Sequence, residues 1–276
     1  MHEGLFDLSG KIAVVTGAGA NGGIGHTLAL GFAHHGADIA VADIDAEGAR
    51  ITGEEIENIG RRALVANVDI SAEGQVETLF AEAEEYFGQI DILVNVPLFF
   101  PERVRPHELS IEGWEKCLSV SLTGYFLCAR QALRSMIDGD RGGCILNIGS
   151  IAGVSGLGRG NFPYSAAKGG VTQLTRELAV EYAGQGIRVN AILPAQVLTP
   201  ALQQMLLSNP RFQDTIQSQF LKGIPLGRLM EPEDFIGPAV FLCSDAAAAI
   251  TGALLPVDGG NLAMNAGGSH TWPAST

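Results

Sequence analysis

Short apolar runs alternate along the chain with longer segments in which apolar residues recur at helical spacing. The apolar runs predicted to be strands are KIAVVTG (11–17), DIAVAD (38–43), RALVANV (62–68), DILVNV (91–96), CILNIGS (144–150), GIRVNAIL (186–193) and ALLPVDGG (253–260). Predicted helices cover about 24–37, 46–60, 72–87, 111–137, 162–183 and 232–244, with a helical, variable region over 200–220. This alternation indicates parallel βαβ units. It predicts an α/β fold, a doubly wound parallel sheet of about seven strands flanked by helices.

The length of the chain is compatible with one large domain. No internal repeat, linker or run of like charges divides its 276 residues, so residues 1–276 are expected to form a single dinucleotide-binding and catalytic domain. The segment after about residue 260, NLAMNAGGSHTWPAST, is mostly small and polar. We expect this tail to be loosely ordered unless a partner subunit holds it.

Charge and composition exclude several classes of protein. A net charge of −13 argues against binding to a nucleic-acid backbone, which needs clustered basic residues. No apolar run of about 18 residues predicts a membrane span, and MHEGLFDLSG does not resemble a secretory signal. The four cysteines lie far apart without a metal-binding spacing, so we expect reduced thiols, a cytoplasmic protein and no metal.

A glycine-rich loop, TGAGANGGIG (16–25), joins the first predicted strand to the first predicted helix. Gly17, Gly19 and Gly22 in this loop match the pattern GxGxxG. Glycines allow the backbone to approach a pyrophosphate, and a helix N-terminus favours its negative charge. The pattern is weak alone, but its place between strand and helix indicates a Rossmann-like dinucleotide site.

Asp43 ends the second predicted strand, 26 residues after Gly17. A carboxylate at this position accepts hydrogen bonds from ribose hydroxyls and repels a 2′-phosphate. Segments 18–25 and 42–49 contain no lysine or arginine that would attract that phosphate. These features predict NAD as the cofactor; the alternative is that Asp43 only caps the following helix.

Tyr164 and Lys168 lie four residues apart in NFPYSAAKGG (161–170), a segment predicted to be helical. Residues four apart share a helix face, so the phenol and the ammonium are expected to converge on one site. At about 4 Å and an effective dielectric constant of about 20, the charge pair is worth about 4 kcal/mol, or about 3 pKa units. Such a shift would bring the phenol to a pKa of about 7, where proton transfer is efficient. Ser150, which ends the strand CILNIGS, is expected to hydrogen-bond a substrate carbonyl beside Tyr164.

Taken together, these residues resemble the short-chain dehydrogenase/reductase family. The resemblance runs from about Leu8 to Gly260 and includes TGAGANGGIG, Asp43, NVD (67–69), Ser150, Tyr164-x-x-x-Lys168, NAILPAQVLTP (190–200) and VDGG (257–260). It implies hydride transfer between NAD(H) and a secondary alcohol or ketone. It also implies that Tyr164 is the general acid/base, that Ser150 orients and polarises the substrate oxygen, and that Lys168 lowers the tyrosine pKa and holds the nicotinamide ribose.

The resemblance also implies a set of cofactor contacts. Asp69 would face the adenine, Asn95 would lie beside the cofactor, and Val197 and Thr199 would fix the amide and phosphate side of the nicotinamide. The complete expected cofactor set is Gly17, Gly23, Ile24, Gly25, Asp43, Ile44, Asp69, Ile70, Asn95, Tyr164, Lys168, Val197 and Thr199.

Several positions depart from the family pattern. The glycine loop is two residues longer than the usual TGxxxGIG, and the family register resumes at GIG (23–25). The usual NNAG reads NVPL (95–98), and the usual PG of the late loop reads PA (194–195). The Asn of NLTG, which in the family holds a water that relays protons to the lysine, is Ser121. The expected catalytic set is therefore Ser150, Tyr164 and Lys168, with Ser121 in a rearranged relay.

Two further expectations concern partners. Apolar residues exceed a single stripe on the predicted helices at 111–137 and 162–183, including Phe126, Leu127 and Leu133, which favours a homo-oligomer. The family resemblance implies a tetramer. The alternative to an enzyme is a non-catalytic NAD(H)-binding sensor or scaffold, because fold alone does not determine function.

The substrate is expected to be a small molecule. Phe99, Phe100 and Leu157 are candidates for an apolar wall, and Arg159, Asn161 and Gln196 for polar contacts, although each is also compatible with an ordinary loop. This mixture favours a sugar, a polyol or another hydroxylated small molecule over a steroid or a long acyl chain.

Overall fold

The computed structural model of the protein describes residues 4–19, 22–158, 160–209, 216 and 220–264. Three expectations from the sequence therefore lie partly or wholly outside the described residues. They are the polar contact assigned to Arg159, most of the second half of the helical region at 200–220, and the tail beyond residue 264.

Seven strands form one sheet in which every neighbouring pair is parallel. The strands are β1 (Ile12–Thr16), β2 (Asp38–Asp43), β3 (Ala63–Asn67), β4 (Ile92–Asn95), β5 (Gly143–Ile148), β6 (Ile187–Pro194) and β7 (Leu254–Val257). Their order across the sheet is β3-β2-β1-β4-β5-β6-β7. The predicted doubly wound parallel sheet of about seven strands is confirmed. From β1 the chain adds β2 and β3 on one side of the sheet and then β4 to β7 on the other, so the strand order reverses between β1 and β4. Ligands of such sheets bind beyond the carboxyl ends of the strands at that point.

The helices are close to their predicted positions. They are α1 (Ile24–His34), α2 (Ala46–Asn58), α3 (Glu73–Phe87), α4 (Ile111–Leu118), α5 (Gly124–Gly139), α6 (Phe162–Tyr182), α7 (Pro200–Ser208) and α8 (Ile236–Cys243). Over the described ranges, none of the helices is sufficiently long and apolar to cross a membrane.

The predicted helical stretch over 111–137 is confirmed as an unbroken helical run, but its middle is not α-helical. A π-helical turn, Ser119–Thr123, separates α4 from α5. Such a turn accommodates an extra residue inside a helix and is common at functional sites, but apolar spacing alone does not reveal it. The predicted helix over 232–244 likewise begins as a 3₁₀ turn, Pro232–Phe235, before α8.

Apolar side chains cover both faces of the sheet. On β1, Ala13 and Val15 belong to a core that includes residues of α1, α2 and α8, whereas Val14 belongs to a second core with α3, α5 and α6. This alternation follows from the two-residue period of a strand, and it accounts for the strongly apolar strands of the sequence. Leu127 and Leu133 are buried in the second core, so the expectation that they are surplus surface residues is wrong.

The glycine loop packs tightly against the start of α1. Gly17 has a φ of +73°, a conformation that favours glycine. A Cβ placed on Gly25 would lie 2.0 Å from the carbonyl oxygen of Gly17, which is far inside contact distance. The first turn of α1 can therefore approach the end of β1 only because residue 25 lacks a side chain.

We expect Gly25→Ala to weaken both folding and dinucleotide binding, because the added methyl group must push Gly17 and α1 apart. The expected loss in the free energy of unfolding is about 1–3 kcal/mol. Gly74→Ala is the matched control, since a Cβ on this α3 residue meets nothing within 4 Å. Urea unfolding and NADH titration of both variants measure the effect. Equal unfolding free energies and equal NADH affinities in the two variants would contradict the prediction.

Candidate active site

The loop before α1 has the geometry of a dinucleotide cradle. Gly23 is the N-cap of α1, and among the described residues no side chain caps this helix with a hydrogen bond. Gly22 has a φ of +73°, and its N–H donates to Nδ1 of His26 over 3.2 Å. A tight, glycine-rich turn at a helix N-terminus suits the negative charge and close approach of a pyrophosphate. Gly17, Gly23, Ile24 and Gly25 therefore fit the predicted role in holding a dinucleotide.

Asp43 lies at the carboxyl end of β2, beside this loop. Its carboxylate accepts hydrogen bonds from the backbone N–H of Gly19 and of Asp45, both over 2.8 Å. The cap of α2 is Asp45, which accepts from the N–H of Gly48, so the alternative that Asp43 only caps the helix is wrong. Among the ion pairs of the described residues, none joins Asp43 to a lysine or arginine.

The residues that follow Asp43 and Asp69 have different surroundings. The side chain of Ile44 is 70% exposed, whereas Ile70 is buried against Gly124 at the start of α5. Asp69 is half-buried and accepts hydrogen bonds from the N–H and hydroxyl of Ser71, and these bonds hold its pKa below the ordinary value although burial opposes them. A charged carboxylate at Asp69 is compatible with its predicted place beside the adenine, while Ile70 also has a packing role.

Asn95, at the end of β4, belongs to a buried polar network. Its Nδ2 donates to Oδ1 of Asn147 over 3.0 Å, and Nδ2 of Asn147 donates to Oγ1 of Thr175 over 3.0 Å. The hydroxyl of Thr16 donates to Oδ1 of Asn95 over 3.4 Å. The side chain of Asn95 therefore ties β1, β4 and β5 together, and a cofactor role for this residue stays a prediction.

Val197 and Thr199 lie in the loop after β6. Val197 forms an isolated parallel bridge with Met230, and the hydroxyl of Thr199 caps α7 by accepting from the N–H of Leu202 over 3.4 Å. The backbone of the loop is therefore held by Met230 at Val197 and by the start of α7 at Thr199. Their contact with a nicotinamide stays a prediction.

Ser150 and Tyr164 meet although they lie on separate elements. Ser150 follows β5 and caps the 3₁₀ turn Ile151–Gly153, accepting from the N–H of Ala152 over 3.1 Å. This turn packs closely on α6, because a Cβ on Gly153 would lie 2.5 Å from the carbonyl oxygen of Lys168. A hydrogen bond from Ser150 acts on the phenol of Tyr164 and lowers its pKa. The two residues are thus neighbours, and their contact with a shared substrate oxygen stays a prediction.

Lys168 is completely buried beneath this pair. Its Nζ donates to the phenol oxygen of Tyr125 over 2.8 Å and to the carbonyl oxygen of Ile148 over 2.7 Å. It also lies 5.9 Å from the centroid of the Tyr164 ring. Burial disfavours the ammonium form and lowers the pKa of Lys168 from 10.5 to about 7, although the nearby Cys117 opposes this shift.

The expected fall in the pKa of Tyr164 is wrong for this arrangement. Burial of the phenol raises its pKa from 10.0 to about 12; the hydrogen bond from Ser150 opposes the rise, and Cys117 adds to it. A fall in this pKa requires a charged lysine close to the phenolate in a moderately polar medium. In the structure, Lys168 donates to Tyr125 and Ile148 instead, and desolvation of the phenol has the largest effect on its pKa.

Ser121 is buried in the π-helical turn, and its hydroxyl accepts a hydrogen bond from the N–H of Phe99 over 3.0 Å. Cys117, one turn earlier, donates its thiol to the carbonyl oxygen of Phe99 over 3.3 Å. These two bonds fasten the loop after β4 to the helix. The role of Ser121 in proton relay stays a prediction, since its hydroxyl contacts Phe99 and Cys117 among the described residues.

Apolar side chains surround the tyrosine. Cys117, Ala152 and Tyr164 form a small buried cluster, against which Phe99 and Leu157 pack. The ring of Phe100 is tilted over Tyr164, with 4.6 Å between the ring centroids. The predicted apolar wall of Phe99, Phe100 and Leu157 is thus brought together at the phenol.

Two residues of the site were not identified in the sequence. Tyr125 contacts Lys168 from α5, and Cys117 lies close enough to Tyr164 and Lys168 to influence both pKa values. Neither residue forms a short spacing pattern with its partners, which lie about 40–50 positions away in the sequence. The helical period places Tyr125 and Ser121 on one face of the helix, but it does not reveal what that face contacts.

Comparison with known proteins establishes the family. The family model described as "Enoyl-(Acyl carrier protein) reductase" matches residues 17–261. Cis-4-hydroxycyclohexanecarboxylate dehydrogenase of Sinomonas cyclohexanicum is 37% identical over 254 residues, which cover 92% of this chain and 97% of the relative. D-threitol dehydrogenase of Mycolicibacterium smegmatis (strain ATCC 700084 / mc(2)155) is 39% identical over 258 residues, which cover 92% of this chain and 94% of the relative.

Solved structures show the same fold with either nicotinamide cofactor. Carveol dehydrogenase of Mycobacterium avium in complex with NAD superposes with a TM-score of 0.85 at 29% identity, covering 93% of this chain and 99% of its own. Gluconate 5-dehydrogenase of Burkholderia cenocepacia J2315 in complex with NADP and tartrate has a TM-score of 0.85 at 32% identity, covering 95% and 98%.

The chain belongs to the short-chain dehydrogenase/reductase family. It is an oxidoreductase acting on CH–OH groups with a nicotinamide cofactor, and the relatives support this activity rather than the non-catalytic alternative.

We expect the burial of Lys168 to appear as a pH dependence of stability. Between about pH 7 and the ordinary lysine value of 10.5, the unfolded chain binds a proton that the folded chain has released. The free energy of unfolding should therefore rise with pH across this window, and Lys168→Met should remove that part of the rise. The raised pKa of Tyr164 acts with the opposite sign and only above about pH 10.

Urea unfolding at intervals from pH 6 to pH 10 measures this effect. Lys11→Met is the matched control, because Lys11 is exposed and its loss should leave the slope unchanged. Parallel stability curves for the native chain and Lys168→Met would contradict the assignment.

Proposed function

We propose that this protein is an NAD-dependent dehydrogenase that oxidises a secondary hydroxyl group on an alicyclic ring. The observation that carries the proposal is the apolar wall at the phenol: the Phe100 ring is 4.6 Å from the Tyr164 ring, and Phe99 and Leu157 pack beside it. A flat apolar wall favours the face of a ring over a flexible, fully hydroxylated chain. The 37% identity to cis-4-hydroxycyclohexanecarboxylate dehydrogenase supports the same substrate class.

The residues have distinct roles in this proposal. The ionised phenol oxygen of Tyr164 accepts the proton of the substrate hydroxyl during oxidation, and the neutral phenol returns that proton during reduction. Ser150 donates a hydrogen bond to the substrate oxygen and holds it beside the phenol. The apolar cluster excludes water from the reacting carbon, which strengthens both polar contacts.

The proposed role of Lys168 is to hold the nicotinamide ribose, in addition to its bonds with Tyr125 and Ile148. When bound, an oxidised nicotinamide supplies the hydride acceptor and a positive charge that favours the phenolate. Because burial keeps the proton on Tyr164 well into the alkaline range, the protein favours proton donation to a ketone at neutral pH. Alcohol oxidation should accelerate as the pH rises.

NAD is the proposed cofactor on the basis of Asp43. Its carboxylate lies against Gly19 of the cradle, where a negative charge disfavours a 2′-phosphate. Relatives of the family use NAD or NADP, so the choice rests on this residue.

A polyol is the second candidate substrate. The side-chain oxygen of Gln196, in the loop after β6, is buried and has no hydrogen-bond partner in the described structure. An additional substrate hydroxyl would satisfy such an acceptor. The 39% identity to D-threitol dehydrogenase is consistent with this alternative.

The proposal includes a homotetramer built from single-domain subunits. Phe126 on α5 and Val180 on α6 expose 44% and 79% of their surface, which favours burial against another subunit. A cytoplasmic location is proposed from four buried free cysteines. Light scattering at micromolar concentration tests the assembly, and the mass of a monomer would refute it.

Tyr164→Phe should reduce turnover of a cyclic alcohol at least about 10²-fold, because the phenol oxygen is the proton acceptor. NADH binding, followed by fluorescence, should be little changed.

The substrate panel is cis-4-hydroxycyclohexanecarboxylate, cyclohexanol, carveol and D-threitol, with NADH absorbance as the readout. The cyclic alcohols should have the higher kcat/KM, and Phe100→Ala should raise their KM but leave that of D-threitol unaltered.

The control for folding is the unchanged NADH affinity of Tyr164→Phe. Retained turnover in this variant would overturn the catalytic assignment. A preference for D-threitol over every ring compound would replace the first candidate substrate by the second.

Asp43→Ala should narrow the preference for NAD. The native chain is expected to use NAD with kcat/KM at least about tenfold above that for NADP, since the carboxylate repels the additional phosphate. The variant should lose affinity for NAD and gain affinity for NADP. Asp45→Ala is the matched control, because this carboxylate caps α2. Equal efficiency of the native chain with both cofactors would contradict the proposal.

A further inference from the structure

We propose that Tyr125 is a positioning residue for Lys168, whose ammonium group it holds in place from α5 through a direct hydrogen bond. The inference rests on the proposed function for its catalytic consequence. Its geometric part concerns the protein chain alone and can be tested without substrate.

Three polar atoms form a closed triangle beneath the site. Lys168 Nζ donates to the Tyr125 phenol oxygen over 2.8 Å and to the Ile148 carbonyl oxygen over 2.7 Å. The Tyr125 hydroxyl itself donates to the same Ile148 carbonyl oxygen over 3.1 Å. The phenol of Tyr125 is thus an acceptor for the ammonium and a donor to the carbonyl, and it orients both.

A role in packing alone does not account for the hydroxyl. Tyr125 is fully buried in the core with α3 and α6, where a phenylalanine ring would fill nearly the same space. Burying a hydroxyl is unfavourable unless it is hydrogen-bonded, and this hydroxyl forms its two bonds within the triangle. The polar part of Tyr125 therefore serves Lys168 and the end of β5.

The other hydroxyl on the same helical face has a different partner. Ser121, four residues before Tyr125, accepts from the N–H of Phe99 in the loop after β4. Of the two, Tyr125 is the residue in contact with the lysine. The helix thus separates two tasks, since Ser121 fastens the loop and Tyr125 holds the ammonium.

Several titratable groups lie around the lysine, and of these Cys117 favours its charged form. Tyr164 lies on α6 itself, Cys117 on α4 and Tyr125 on α5, and Cys128 of α5 faces Tyr125 in turn. An acceptor bonded to an ammonium favours the charged form of the amine. Removing the Tyr125 oxygen should therefore make Lys168 lose its proton at lower pH, while the other groups stay in place.

The direct test is an NMR titration of the unliganded protein labelled with ¹³C at the lysine ε-carbon. The chain has four lysines, at 11, 116, 168 and 222, and Lys168→Met identifies the signal of interest. In Tyr125→Phe the midpoint of this signal should fall by roughly one pH unit, as expected for the loss of a hydrogen bond to a charged group. Ser135→Ala is the matched control, since this buried hydroxyl on α5 accepts from the N–H of Ile90 and should leave the midpoint unchanged.

A second titration needs no substitution at Tyr125. With ¹³C at the tyrosine ζ-carbon, the Tyr125 signal of the native chain should move as Lys168 titrates, and Lys168→Met should abolish that movement. An unchanged lysine midpoint in a folded Tyr125→Phe protein, or a Tyr125 signal indifferent to Lys168, would overturn the inference.

The catalytic consequence has its own readout. In Tyr125→Phe the part of the pH profile of alcohol oxidation that reports Lys168, near pH 7 in the native chain, should move to lower pH together with the midpoint of the amine. In a Lys168→Met background the same substitution should have no effect on the profile. Lack of turnover with every alcohol tested would count against the proposed substrate, whereas the two titrations would still decide the role of Tyr125.

Discussion

The burial of one lysine ammonium is the constraint on which the site depends. A charged amine in a protein interior is costly unless acceptors surround it. Lys168 finds its acceptors on two other elements, the end of β5 and the middle of the helical segment that contains α5. The positions of α5, β5 and α6 are therefore linked through a single side chain. Any displacement among them would leave the amine without a partner or shift its pKa further from the ordinary value.

Close backbone packing makes this arrangement possible. Gly153, after β5, lies against the backbone of Lys168, where a Cβ would be only 2.5 Å from its carbonyl oxygen. Gly170 on α6 admits the side chain of Leu122 from the π-helical turn, with 2.7 Å to the position of a Cβ. These contacts bring α6 close to the 3₁₀ turn Ile151–Gly153 on one side and to the π-helical turn on the other. Ser121 is buried in the π-helical turn, and its hydroxyl contacts Phe99 in the loop after β4.

Most of the fold could be predicted because strands buried on both faces are strongly apolar and short. Each of the seven predicted strands overlaps an observed one, and the carboxyl end of β2 falls at Asp43 as expected. The π-helical turn could not be predicted, because a five-residue change of helical period is too short to alter the apolar pattern. The burial of Leu127 and Leu133 was also missed, since a sheet and two neighbouring helices cover more of α5 than one stripe.

For the site, the sequence by itself determined which chemical groups are present and which of them lie at strand ends or helix starts. It predicted that Tyr164 and Lys168 share a helix face, because that relation depends only on the helical period. The tertiary structure decided what each group contacts: Ser150 meets Tyr164, and Lys168 meets Tyr125, although the latter two lie 43 residues apart. It also decided the pKa values, since desolvation depends on everything that surrounds a group and not on its neighbours along the chain.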